Sequence, residues 1–180
     1  MQEFLHDTEA MILQSEDVYR ILTANQNPMG LSDRDYVSDY DSERFTRTER
    51  ISQVKTRTVQ QFFRTAVISS YHLKCAVCNL SLQEMLTASH IIPWSKNEES
   101  RADPSNGISL CALHDRAFDR GFFALHDDYT ITLSSRVTIA NSLSVEHMFL
   151  RFDNKPINLP FRFLPNKNYL QWHKDNVFLG

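Results

Sequence analysis

The chain predicts an α+β fold: a small strand–loop–strand–helix unit, led by a helical arm and closed by a helical wrap. Three observations carry that expectation. Apolar residues recur at three- and four-residue steps across 46–71, the mark of an amphipathic helix. Two short runs of β-type residues, 86–92 and 108–110, flank a polar loop. The segment 112–118 then reads as a helix stopped by Gly121, a residue suited to the left-handed position past a helix end.

In chain order, residues 5–26 suggest a first helix, broken by Pro28 and Gly30. The stretch 31–44 is polar and acidic, a loop or an arm. The helix over 46–71 places Ile51, Val54, Phe62, Phe63, Ala66, Val67 and Tyr71 at helical spacing and keeps its Arg and Lys mostly in the first half. The strand LTASHII closes on Pro93 and Trp94, and 95–107 form the polar loop. FFALH and YTITLS flank Asp127 and Asp128 as a hairpin. A helix near 144–150 follows, then a last one over 166–177, opened by Pro165. Two units are expected: a helical arm over 1–72, for DNA contact or oligomerisation, and a second domain over 73–180.

Composition narrows the class. A chain of 180 residues with 42% hydrophobic and 23% charged residues is that of an ordinary globular protein with a core. Its apolar runs are too short to span a bilayer. The first residues are acidic where a signal peptide needs basic ones, so a cytoplasmic protein with no membrane partner is expected. The net charge of −3 excludes a purely electrostatic nucleic-acid coat. A basic stripe of Arg44, Arg47, Arg50, Lys55, Arg57 and Arg64 nevertheless follows the acidic start. Screening confines fields to about 10 Å at 0.1 M salt, so such a stripe can contact phosphates on an acidic protein.

All three cysteines fall into one pattern. Cys75 and Cys78 form Cys-x2-Cys, and Cys111 with His114 forms Cys-x2-His. In a reducing compartment this is the donor set of a four-coordinate structural zinc site, fastening the chain before the first strand to the start of the helix. The bland alternative is two small buried hydrophobes and a chance third cysteine.

His90 ends the first strand inside an apolar run, where a lone histidine is more often a satisfied core residue than a catalyst. Its company changes the balance: Asn106-Gly107 follows 16 residues later, and His114-Asp115 open a helix soon after. The pieces ASHIIPW, DPSNG, LCALHD and AFDRG resemble the HNH endonucleases, in the branch related to restriction endonucleases. The likeness is specific through about 75–126, continues weakly into QQFFRTAVISSY and YLQWHKDNVF, and is silent on 1–45.

That resemblance implies a ββα-metal fold and a catalytic set of His90, Asn106, His114 and Asp115. His90 would be the general base. Asn106 would tie the loop down and keep the imidazole turned. The third position would hold a single divalent ion, magnesium or manganese. If His114 belongs to the zinc, Asp115 is the ligand of that ion; if no zinc is bound, His114 takes the place itself. The completed Cys-x2-His tetrad favours the first. Asp119, one turn on, is a second ligand or a helix-stabilising charge. Family members often carry Asp or His just before the base, where this chain has Ser89, a weaker donor. Arg116, Arg120, Lys96 and Arg101 are the candidate DNA contacts, while Trp94 and Phe118 read as core.

Three functions follow. The first is a metal-dependent HNH endonuclease acting on DNA in restriction or anti-phage defence, with a homodimer or a partner subunit for targeting. The second is a zinc-stapled nucleic-acid-binding module without turnover. The third is a zinc-ordered interaction domain. The first requires that His90 and a donor from the short helix converge on one phosphodiester.

Overall fold

The computed structural model describes residues 47–180 apart from 141, with side chains from 58 onward. The helix expected over 5–26, the acidic stretch 31–44 and the side chains of the basic stripe before 58 lie outside the described residues. Helix α1 spans Arg47–Ser70. Its second half buries Phe63, Ala66, Val67 and Ile68, and it packs on both strands of the first sheet. The helix ends where His72 and Leu73 take φ of 55° and 56°, left-handed values that stop helix propagation.

Strand β1 (Leu86–His90) pairs antiparallel with β2 (Gly107–Cys111), in a register that sets Leu86 opposite Cys111 and His90 opposite Gly107. Helix α2 (Ala112–Asp119) leaves β2 directly. Gly121 adopts φ 68° just past its end, and its N–H bonds the Phe118 carbonyl at 2.9 Å. A Cβ there would collide with the Val177 carbonyl oxygen. Strands β3 (Phe123–Leu125) and β4 (Ile131–Leu133) form the hairpin, and Asp128 accepts from the Thr130 N–H at its turn.

A one-turn helix α3 (Ser135–Thr138), capped by Ser134, was not expected from the sequence. Helix α4 covers Leu143–Met148 and gives way to a tighter turn at Leu150–Phe152. Helix α5 (Lys167–Asn176) begins after Asn166, whose side chain accepts from Asn168 N–H. It docks through Leu170 and His173, the latter stacked on Phe118 at 3.8 Å.

One hydrophobic cluster takes residues from α1, both sheets, α2 and α5. Among the described residues α1 shares this core with the elements after residue 72, because its apolar face covers the sheet. No helix among them is long and apolar enough to cross a membrane.

Candidate functional site

The cysteines and His114 converge. Their ligand atoms lie within 4.8 Å of one another, the only such group of three or more His, Cys, Asp or Glu among the described residues. Tetrahedral zinc with bonds of about 2.0–2.3 Å places its ligand atoms roughly 3.3–3.8 Å apart. Cys111 Sγ and Cys75 Sγ stand 3.1 and 3.7 Å from His114 Nδ1, and Cys78 Sγ is 3.9 Å from Cys111 Sγ. The knuckle that aims Cys75 and Cys78 is local: Asn79 N–H bonds the Cys75 carbonyl, and Cys75 N–H bonds Leu80. Ala76 N–H bonds the Ser109 carbonyl, fastening the knuckle to β2.

His114 Nε2 donates to the Met148 carbonyl at 2.9 Å, which turns Nδ1 toward the sulfurs, as the outer partner of a metal-bound imidazole does. Burial opposes a charged ring at His114, but the Cys111 and Cys78 sulfurs outweigh it and hold its pKa up to about 10. Hydrogen bonds from Cys75 and Cys78 hold the Cys111 thiol far down, and the same contacts push Cys75 up. A sulfur-rich pocket of this kind suits a soft cation. Both nitrogens of His114 are engaged and the residue is 1% exposed.

His90 is half-buried at the end of β1. Its Nε2 donates to the Arg101 carbonyl at 3.1 Å. The ring lies flat on Phe63, with centroids 3.8 Å apart and planes at 10°, and meets Trp94 edge-on at 5.7 Å. Burial lowers its pKa below the ordinary imidazole value, against a smaller upward pull from the Arg101 carbonyl. Trp94 is half-buried rather than core, because it roofs this imidazole; Phe118 is fully buried.

Asn106 is fully buried, and among the described residues no hydrogen bond joins it to His90. Its Oδ1 accepts from Ile92 N–H at 2.8 Å, and its Nδ2 reaches the carbonyls of Ile92 and Ser100, both at 3.1 Å. It thus closes the loop that carries Arg101, whose carbonyl accepts from His90 Nε2. Asp103 caps the turn before it, taking Ser105 and the Tyr169 hydroxyl of α5.

Asp115 is half-buried on α2. Burial raises its pKa, and Ser89 pulls the other way. Ser89 Oγ is itself buried with no hydrogen bond of ordinary length, so it lies near the carboxyl without a tight contact. Asp119 is also raised, by burial and then by the like charge of Asp115. Successive strand residues point to opposite faces. Here Ser89 turns toward Asp115 while His90 stacks on Phe63, and among the described residues no hydrogen bond joins His90 to Asp115.

Of the basic candidates, Lys96, Arg116 and Arg120 are exposed. The Arg101 side chain is engaged within its loop: its Nε donates to the Trp94 carbonyl at 2.8 Å, Nη1 pairs with Glu98 at 3.4 Å, and the guanidinium covers the Trp94 ring. That side chain braces the loop. Sequence reasoning missed Phe63 and the Met148 carbonyl. Gly107 was the available signal for the first, since a glycine inside a strand marks close backbone approach.

Residues 75–126 match the family described as HNH endonuclease. No curated protein matches the chain. Among solved structures, a modification dependent TagI restriction endonuclease aligns at TM-score 0.47 and 16% identity, over 64% of this chain and 37% of that one. This chain therefore spans well under half the length of that protein. The strand pair, the following helix and the Cys3His cluster all fall within residues 75–126, the segment that is similar to the HNH endonuclease family.

Proposed function

We propose that the chain is a metal-dependent HNH endonuclease that hydrolyses DNA phosphodiester bonds, with His90 as general base. The observation that carries this is the state of His90. Its Nε2 proton is committed to the Arg101 carbonyl, which leaves the lone pair on Nδ1. Burial favours the neutral ring, so Nδ1 can accept a proton from a water attacking phosphorus.

Asp115, with Asp119 beside it, would hold magnesium or manganese, for which carboxylate oxygens are the suited donors. The fit rests on charge: burial disfavours the Asp115 carboxylate, burial and the Asp115 charge disfavour that of Asp119, and a divalent cation between them relieves both. When bound, such an ion neutralises charge on the phosphoryl and departing oxygens. The phosphodiester must then lie across the end of β1, between His90 and α2. Lys96, Arg116 and Arg120 would hold the backbone without reading sequence. Zinc at Cys75, Cys78, Cys111 and His114 would be structural. A cytoplasmic role in restriction or anti-phage defence, in a homodimer or beside a targeting subunit, belongs to this reading through the family resemblance.

The test is plasmid nicking with magnesium or manganese. His90→Ala should abolish it with an unchanged circular dichroism spectrum; undiminished nicking rejects the assignment. A second reading, a zinc-stapled nucleic-acid-binding module without turnover, is favoured by Ser89 and by the lack of contact between His90 and Asp115. Retained DNA binding with no nicking in any divalent ion would select it.

A further inference from the structure

We propose that Phe63 is a positioning residue for His90: stacked through the notch at Gly107, it fixes the plane of the imidazole. This rests on the base assignment above and adds a residue from α1, upstream of the matched segment. A histidine ring has two torsions to settle. The Arg101 carbonyl restrains the ring at Nε2, and Trp94 closes one edge. Neither covers a face, so rotation about Cβ–Cγ would swing Nδ1 unless a flat partner opposes it. Phe63, 2% exposed and 10° from parallel, is that partner.

The approach is built into the sheet. Gly107 pairs with His90 across the strands. A Cβ at Gly107 would collide with Val67 Cγ2 and lie 2.8 Å from Phe63 Cζ, so only glycine lets this side of α1 settle there. The charged groups on the surrounding elements are otherwise occupied or offset. Arg101 is held by Glu98 and Trp94, Arg64 follows Phe63 on α1, and Asp115 lies near Ser89, the strand neighbour of His90.

The experiment uses the full, zinc-loaded chain with Phe63→Met, which fills similar volume without a ring, and Phe63→Tyr, which keeps one. The His90 ring protons, assigned by their loss in His90→Ala, should resonate upfield in the unmodified protein under the Phe63 face. They should move downfield in the Met variant and stay in the Tyr variant. Nicking kcat should fall about tenfold to a hundredfold in the Met variant with KM little changed, since misplacing a reacting group costs on that scale, and Phe63→Tyr should restore it. Unshielded His90 protons in the unmodified protein overturn the proposal even if the Met variant does not fold. An unmoved kcat in a folded Met variant overturns it as well. Undiminished nicking by His90→Ala would instead remove the base assignment, while the shielding still reports on the stack.

Discussion

The side chain of Asn106 occupies both backbone hydrogen-bonding groups of Ile92, accepting from its N–H at 2.8 Å and donating to its carbonyl at 3.1 Å. Ile92 lies two residues past the strand-end imidazole, and the second donor hydrogen of Asn106 is spent on Ser100, next to Arg101. Asn106→Ala leaves the N–H and carbonyl of Ile92 unpaired in a buried loop, at about 1–3 kcal/mol each, while the Ser100 carbonyl keeps only the longer bond from Asp103 N–H. We expect a loss of about 3–5 kcal/mol in urea unfolding together with lost nicking. Asn106→Asp should be no better, because a carboxylate oxygen then faces the Ile92 and Ser100 carbonyls. An Asp variant of native stability would break this account.

The Cys3His cluster predicts one zinc per chain by elemental analysis. Metal binding at such sites in small peptides is worth about 10–16 kcal/mol, comparable with the whole stability of a domain at about 5–15 kcal/mol. Stripping the metal should therefore unfold the region from the knuckle to α2, read as lost amide protection. His114→Cys should keep the metal in a four-thiolate set, whereas His114→Ala should lose it. Stoichiometric zinc in the Ala variant would show that His114 is not a ligand.

Asp115→Asn separates chemistry from stability. The carboxamide matches the shape but is a poor ligand for magnesium, so nicking should fall at least about a hundredfold. Stability at neutral pH should not fall. Burial already raises the Asp115 pKa, which means the charged form is held at a cost that the variant removes. With its like-charged neighbour gone, Asp119 should titrate lower, a shift that carbon-detected NMR can follow. Full activity in this variant would move the ion elsewhere.

The parts legible in the sequence are those fixed by near neighbours. The spacing of apolar residues in α1, the break at Gly121, the hairpin at Asp128 and the two Cys-x2 pairs are all local patterns, and the structure places them as expected. What the residues could not disclose depends on contacts between distant segments. Phe63 reads as one more apolar residue on a helix until Gly107 is known to face it across the sheet. Arg101 reads as a free charge until Trp94 and Glu98 fold back onto it. Met148 has no signature as the partner of His114, because any carbonyl serves and only the packing of α4 selects one. The α3 turn was missed for a related reason: a single turn has too few residues for periodicity to register.

A histidine outside the site sets a pH limit on the fold. His173 is 2% exposed, stacked on Phe118, with Nε2 donating to the Phe118 carbonyl at 3.1 Å and Nδ1 buried without a partner among the described residues. Burial lowers its pKa to about 4. In the unfolded chain the ring titrates near about 6.5. Between those values the unfolded state binds the extra proton, so stability rises with pH. The contribution is complete above about 6.5 and is lost as pH falls toward about 4, on the order of 3 kcal/mol in all. His173→Phe keeps the stack, and the Phe118 carbonyl keeps the Gly121 N–H. That variant should be somewhat less stable at pH 7 yet lose less between pH 7 and pH 5 in paired urea melts. Equal losses in the two proteins would place the acid sensitivity in other groups, His90 first among them.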